Sequence, residues 1–147
     1  MAMTITAKRV RARPPAGLHP LRALRGNLMG ILENKRLVIT GAGSGIGRAT
    51  SILAAQEGAS VVTVDIADSV KDTAALITSS GGRALAVQAD VSEESAVIAF
   101  IDQCVDAFGG IDGLYANAGV SGGRQTLQEL TVDDWQRTLS VNTIGVF

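Results

Sequence analysis

The stretch Leu37-Val-Ile-Thr-Gly-Ala-Gly-Ser-Gly-Ile-Gly47 decides the fold of this chain. A short apolar run stands before the glycines, and a helix-like stretch, residues 46–57, follows them. Glycine lets the backbone turn tightly and lets a phosphate approach without a Cβ in its way. The first turn of a helix adds unpaired N–H groups and the positive end of its dipole. This order predicts a phosphate-binding cradle. Its predicted members are Gly41, Ser44, Gly45, Ile46 and Gly47.

The same alternation of strand and helix continues to the end of the chain. Strands are predicted at 36–40, 61–64, 84–87 and 112–116, and helices at 46–57, 69–80, from 92 to 108 and from 131 onward. Such alternation predicts an α/β fold with a doubly wound, Rossmann-like parallel sheet. Apolar spacing predicts which helix residues are buried. They are Ile46, Ala49, Ile52 and Leu53 on the first helix, and Val97, Ile101, Val105 and Phe108 on the third.

Composition and charge exclude several classes of function. Residues 33–147 hold seven basic and fourteen acidic groups, so this part of the chain is a poor candidate for binding nucleic acid. The sequence has one cysteine, Cys104, and one histidine, His19, so a cysteine cluster, a metal site in residues 33–147 built on histidine and a Ser-His-Asp triad are all excluded there. We therefore expect no metal, and the lack of a long apolar run predicts no membrane partner.

Residues 1–28 differ from the remainder. They contain scattered arginines, all three prolines and no apolar periodicity, which predicts a disordered basic leader. Three origins of this leader compete: an organelle-targeting peptide, a nucleic-acid arm, and an upstream extension of the true start near Met29. We favour the extension, and we expect a cytoplasmic protein whose folded domain covers residues 29–147.

An acidic residue follows the second predicted strand. Asp65 lies 18 residues beyond Gly47, and a carboxylate at this point can accept hydrogen bonds from both ribose hydroxyls of an adenosine. It would repel a 2′-phosphate. The positions where a basic residue would compensate hold Ser44, Ile66 and Ala67. The sequence therefore favours NAD as the cofactor over NADP.

The glycines have the spacing T-G-x-x-x-G-x-G, and no register fits G-x-G-x-x-G. Together with Asn117-Ala118-Gly119 at the end of the fourth strand, this spacing resembles the short-chain dehydrogenase/reductase family. That family has two asparagines at the second motif, and Ala116 replaces the first of them here. The resemblance implies that Asp90 and Val91 hold the adenine and that Asn117 ties neighbouring strands together beside the cofactor.

The resemblance also implies a reaction, hydride transfer, and a set of catalytic residues that this chain lacks. In the family, hydride passes between NAD(H) and a small alcohol or carbonyl substrate, helped by a Ser, a Tyr and a Lys. None of the three can be assigned here, because Tyr115 lies in the fourth strand and has no Lys four residues on. Asn142 matches the family's asparagine, which bends a helix and holds a water in the proton relay.

We therefore expect the chain to be the cofactor-binding half of such an enzyme and to be inactive alone. The resemblance covers residues 30–147, about half of a family domain, and implies the strand order 3-2-1-4 and a homo-oligomer for the intact form. Two alternatives stay open on the residues. A fragment of an S-adenosylmethionine methyltransferase would share the glycine turn and the acid after the second strand. A nucleotide-binding module without catalysis would share the whole site.

Overall fold

The computed structural model describes residues 30–121 and 126–147. The described residues form one four-stranded parallel sheet with helices on both faces. Its strands are β1 (Arg36–Thr40), β2 (Ser60–Asp65), β3 (Arg83–Gln88) and β4 (Gly113–Tyr115). They are ordered β3-β2-β1-β4, as the family resemblance implied. All three strand pairs are parallel, so the carboxyl ends of the strands meet at one edge of the sheet.

The helices of the described residues are α1 (Gly45–Gln56), α2 (Val70–Ser79), α3 (Glu94–Phe108) and α4 (Val132–Leu139), and α4 leads directly into a π-helix (Ser140–Ile144). Alternating residues of β1 and β2 face opposite sides of the sheet. Val38 and Val62 pack in one cluster with Phe100 of α3. Ile39 and Val61 pack in a second cluster that includes Ala54 of α1 and Val70 of α2. The predicted doubly wound class is confirmed.

The predicted buried face of α1 is wrong. Ile46 is 70% exposed and Leu53 is 58% exposed. Ala49 is exposed as well, and Ile52 is half-buried. The residues that face the sheet are Gly47, Ser51 and Ala54. This helix lies so close to β1 that only small side chains fit beneath it: a Cβ on Gly47 would lie 2.1 Å from the Gly41 carbonyl oxygen.

The predicted face of α3 is correct only in part. Val97, Ile101 and Phe108 are half-buried against the core, but Val105 is 43% exposed. The fully buried residues of this helix are Phe100 and Cys104. Burial raises the pKa of the Cys104 thiol, and its Sγ lies 3.5 Å from the carbonyl oxygen of Gly110.

The start of α4 agrees with the sequence. The Thr131 hydroxyl accepts a hydrogen bond from the Asp134 N–H, and the Asp134 carboxylate accepts one from the Thr131 N–H, which together form the predicted capping box. The Thr131 hydroxyl also donates to the Asp134 carboxylate at 2.7 Å, and this bond, together with the one from the Thr131 N–H, holds the pKa of Asp134 below its ordinary value. Neither α4 nor the π-helix has a buried residue.

Two sequence predictions concern residues that lie outside those described. These residues include the leader, residues 1–28, and Met29, so the disorder and the origin of the leader stay predictions.

Of the helices that the structure describes, none combines the length and the apolar character needed to cross a membrane.

Candidate nucleotide-binding site

The glycine loop has a shape that requires glycine at particular positions. Gly41 and Gly45 have φ angles of 67° and 52°, in the left-handed region that favours glycine. A Cβ on Gly45 would meet no heavy atom within 4 Å, so this side of the loop is open. A Cβ on Gly47 would also lie 2.7 Å from Nδ2 of Asn117. Gly47 therefore serves close packing, whereas Gly45 leaves space for a ligand.

The amides at the start of α1 are available. Within residues 30–121 and 126–147, the N–H groups of Gly45, Ile46 and Gly47 donate to no acceptor, and the first amide bonded within the helix is that of Arg48, to the Ser44 carbonyl. The Ser44 side chain makes no capping hydrogen bond. A helix start with free N–H groups and a positive dipole end fits an anion.

Asp65, the last residue of β2, is hydrogen-bonded to the same loop. Its Oδ2 accepts a hydrogen bond from the Gly43 N–H at 2.8 Å, and its Oδ1 accepts one from the Ala67 N–H at 2.9 Å. A carboxylate has about four lone-pair directions, so two remain for a ligand. The structure therefore holds the charge of Asp65 beside the glycine loop, at the carboxyl end of β2.

The second motif is tied to the first. The Thr40 hydroxyl oxygen accepts hydrogen bonds from the N–H groups of Asn117 and Ala118, both at 3.0 Å. The Asn117 Nδ2 donates to the Thr40 carbonyl oxygen at 3.0 Å. The ends of β1 and β4 are thus joined, which is the contact that the family resemblance implied for Asn117.

Asp90 and Val91 follow β3 at the same edge. The Asp90 Oδ1 accepts hydrogen bonds from the Ser92 N–H at 2.9 Å and from the Ser92 hydroxyl at 2.7 Å. These bonds lower the pKa of Asp90, and the charge of Arg137 adds to the effect. Asp90 is therefore ionised at neutral pH and has one oxygen left for a donor. Val91 is buried in the core beside it.

A cleft of about 340 Å³ runs along this edge of the sheet, which is within the usual range for small-molecule sites. Its walls come from the ends of β1, β2, β3 and β4, together with α4 and the π-helix. The lining residues are Gly41, Asp65, Ile66, Ala89, Asp90, Val91, Ser92, Ala118, Gly119, Val120, Arg137, Ser140 and Val141.

Asn142 lies in the π-helix that follows α4, and the bend that the resemblance implied for it stays a prediction. Its Oδ1 accepts a hydrogen bond from the Val120 N–H, and its Nδ2 donates to the Val120 carbonyl oxygen, both at 2.8 Å. A Cβ on Gly119 would lie 3.3 Å from the same Oδ1. In this structure Asn142 holds the turn that follows Asn117, and its role in a proton relay stays a prediction.

The structure thus gathers most of the predicted residues at one edge of the sheet. Gly41, Asp65, Ile66, Asp90, Val91, Ala118 and Gly119 line the cleft. Ser44, Gly45 and Ile46 lie at the open start of α1, outside the lining. Among the described residues, no group of three acids, cysteines or histidines is placed to hold a metal ion.

Sequence reasoning missed several residues of this site. Among them are Thr40, Thr73, Ser92 and Arg137. Thr73 is fully buried on α2, and its hydroxyl donates to the Ala42 carbonyl oxygen at 2.8 Å. The hydroxyl residues had no distinguishing pattern, although Thr40 begins the glycine motif. Arg137 lies on α4, whose position against the cleft depends on tertiary packing.

Fold and cleft define the class of protein: a doubly wound α/β protein of the Rossmann type, with its candidate site where the carboxyl ends of the strands meet. Residues 35–147 match the short chain dehydrogenase family. The chain belongs to this family, which removes the methyltransferase alternative.

Three similar proteins illustrate the match. A cis-4-hydroxycyclohexanecarboxylate dehydrogenase from Sinomonas cyclohexanicum is 43% identical over 109 residues, which are 74% of this chain and 44% of the relative. The crystal structure of an NAD+-bound xylitol dehydrogenase has a TM-score of 0.75 at 35% identity, covering 80% of this chain and 45% of that one. A short chain dehydrogenase from Burkholderia cenocepacia J2315, in complex with NADP, has a TM-score of 0.73 at 38% identity, covering 78% and 47%.

The chain spans about half the length of the curated relatives it matches. Those relatives are named dehydrogenases and reductases. Of the solved structures just described, one contains NAD+ and the other NADP, so kinship alone leaves the choice between the two dinucleotides open.

Proposed function

We propose that the chain binds the adenosine and diphosphate parts of NAD(H), as the cofactor-binding half of a short-chain dehydrogenase/reductase. The intact enzyme would act on a small-molecule alcohol or carbonyl compound. The observation that carries this proposal is the Asp65 carboxylate, held by the Gly43 N–H beside the open start of α1. It puts an acceptor for ribose hydroxyls, at the end of β2, beside a loop that has free donors for a diphosphate.

The residues present fit this cofactor. The N–H groups of Gly45, Ile46 and Gly47 would hold the diphosphate, since the loop is open where a Cβ of Gly45 would stand. Asp65 would accept from the ribose. The free oxygen of Asp90 would accept from the adenine amino group. Ile66 and Val91 offer apolar surface to the ring.

The charge at the ribose end supports NAD over NADP. The Asp65 carboxylate would face a 2′-phosphate with a like charge, which costs several kcal/mol in a partly buried site, or about tenfold in affinity for each 1.4 kcal/mol. No basic side chain follows Asp65 to compensate, since the next two residues are Ile66 and Ala67.

The bound nicotinamide would supply hydride transfer, and the residues near it are placed to position groups. Asn117 joins β1 to β4 through Thr40. Asn142 fixes the Val120 backbone on the far side of the same turn. An amide side chain has no proton to give near neutral pH. These two residues can therefore shape the nicotinamide end of the site and cannot replace an acid or a base.

Titration of the 147-residue chain with NADH and with NADPH, followed by calorimetry, tests the proposal. We expect NADH to bind at least about tenfold more tightly. Asp65→Asn removes the charge and keeps an oxygen that can accept from the Gly43 N–H. It should therefore reduce the difference in affinity between NADH and NADPH. Asp68→Asn is the matched control, since Asp68 pairs with Lys71 on the surface. Tighter binding of NADPH by the unmutated chain would contradict the NAD assignment.

A further inference from the structure

The glycine loop is held from outside its own motif by the second helix. Three backbone polar groups of residues 42 and 43 are hydrogen-bonded to groups of β2 and α2. The Ala42 N–H donates to the Val64 carbonyl oxygen at 3.0 Å. The Gly43 N–H donates to Asp65. The Ala42 carbonyl oxygen accepts from the Thr73 hydroxyl at 2.8 Å.

Thr73 is an unusual residue for this place. It is the fourth residue of α2 and has no exposed surface. A hydroxyl in a helix commonly bonds the carbonyl one turn earlier. Thr73 lies 3.5 Å from that oxygen, of Ser69, and makes the shorter contact to Ala42. A buried carbonyl left without this donor would lose a hydrogen bond that water cannot replace, because Ala42 is fully buried as well.

We infer that Thr73 is the positioning residue of the diphosphate cradle: its hydroxyl fixes the Ala42 carbonyl and so sets the direction of the loop amides that follow. The inference rests on the proposed function. Between them, Thr73 and Asp65 hold two successive residues of the loop, so Ser44 and Gly45 start from a fixed point. A ligand with a diphosphate should sense the loss of Thr73, whereas a ligand without phosphate should not.

Two variants of Thr73 and one matched control on the same helix test this. Thr73→Val keeps the shape and removes the donor, and Thr73→Ser keeps the donor. Thr78→Val is the control, since the Thr78 hydroxyl bonds only within α2, to the Ala74 and Ala75 carbonyl oxygens. Each full-length chain is titrated with ADP and with adenosine, by NMR so that weak binding is measured.

We expect Thr73→Val to weaken ADP binding about three- to tenfold and to leave adenosine within about twofold. Thr73→Ser and Thr78→Val should both stay within about twofold for ADP. A merely structural role would lower both affinities together or lower only the melting temperature. Equal losses for ADP and adenosine, or an unchanged ADP affinity in Thr73→Val, would overturn the inference.

Amide hydrogen exchange separates this result from failure of the proposed function. If the unmutated chain binds neither ligand, the proposed function is wrong. The positioning role is then decided by exchange at the Ala42 and Gly43 N–H groups. Thr73→Val should speed exchange at both amides by about tenfold, measured relative to exchange at the Thr63 amide in β2. Unchanged exchange at the two loop amides would overturn the inference by itself.

Discussion

The strands on the two sides of β1 differ in how completely they are packed. In β2, the residues from Ser60 to Val64 are all buried. In β4, Leu114 is 51% exposed and Tyr115 is 43% exposed. α2, on the β2 side, has four buried residues, whereas α4 and the π-helix, which follow β4, have none.

This contrast separates two kinds of support within one site. The glycine loop, Asp65 and Thr73 are anchored in a closed core on the β2 side. Besides its backbone pairing with β1, the β4 side is joined to β1 by two polar contacts: Asn117 with Thr40 at one end of the strand, and Arg36 with Asp112 at the other. Under the proposed function, the adenosine end of the site is therefore rigid, and the nicotinamide end is held by few contacts.

The largest effect that we expect is the absence of catalysis on the β4 side. The 147-residue chain should bind NADH and give no steady turnover with NAD and a panel of secondary alcohols. Its only tyrosine, Tyr115, lies in β4 and has Gly119 four residues on, and its only histidine is His19. Loss of general acid–base help alone lowers rates by about 10²–10⁴. Steady NADH production that Asn142→Ala abolishes would contradict this expectation.

A second expected effect is association through β4. An edge strand with exposed apolar side chains and unpaired backbone groups is a template for another chain. We expect dimers or larger species at micromolar concentration in sedimentation experiments, and Leu114→Lys should shift them toward monomer. Ile31→Lys is the control, because Ile31 is also exposed but lies before β1. A monomer at every concentration would show that the open edge is inert.

A smaller effect concerns the ion pair at the other end of β4. Asp112 accepts from the Arg36 guanidinium at 2.7 and 2.9 Å and from the Arg36 N–H at 2.8 Å. These bonds hold the pKa of Asp112 well below its ordinary value. The folded state therefore favours the ionised form, and the resulting stability is present above the unfolded pKa of about 4. It is lost as the pH falls further, through the folded pKa.

Asp112→Asn should accordingly lower the melting temperature by a few degrees at pH 7, and the difference from the unmutated chain should shrink below about pH 4. The effect is modest because the pair is partly exposed to solvent. Asp68→Asn breaks the ion pair between Asp68 and Lys71, which is more exposed than the pair of Arg36 and Asp112. This substitution should therefore lower the melting temperature less. An Asp112→Asn difference that stays constant from pH 7 to pH 3 would show that the charge is not its source.

The smallest expected effect is that of the leader. Residues 1–28 have no apolar periodicity to bury, so a chain that begins at Met29 should match the full chain in melting temperature within about 1 °C. Circular dichroism on both chains measures this. A large drop in melting temperature on deletion would show that the leader packs against the domain, on its β2 side or its β4 side.

The sequence allowed the sheet to be predicted because its signal is strong and local. The run from Val61 to Val64 is nearly all apolar, as in a strand covered on both faces. The glycine spacing and Asp65 likewise predicted the loop and its acid. These features depend on residues close together in the chain, or on a backbone shape that only glycine adopts.

The error on α1 has a physical cause. On α1, apolar spacing selected Ile46 and Leu53, but the distance between helix and sheet admits only Gly47, Ser51 and Ala54. Close approach is a tertiary property, and hydrophobicity does not register it. The bond from Thr73 to Ala42 spans 31 residues and two elements, so a threonine within a helix gave no sign of its role.

The chain's only cysteine offers a chemical handle. Cys104 lies on the buried face of α3, and its raised pKa keeps it in the unreactive thiol form. A thiol reagent added to the native chain can reach this sulfur only when α3 lifts from the sheet, so the rate of its labelling counts such openings. A cysteine introduced at exposed Ser79 would react first. One dye could thus be attached at a chosen site without removing the native sulfur.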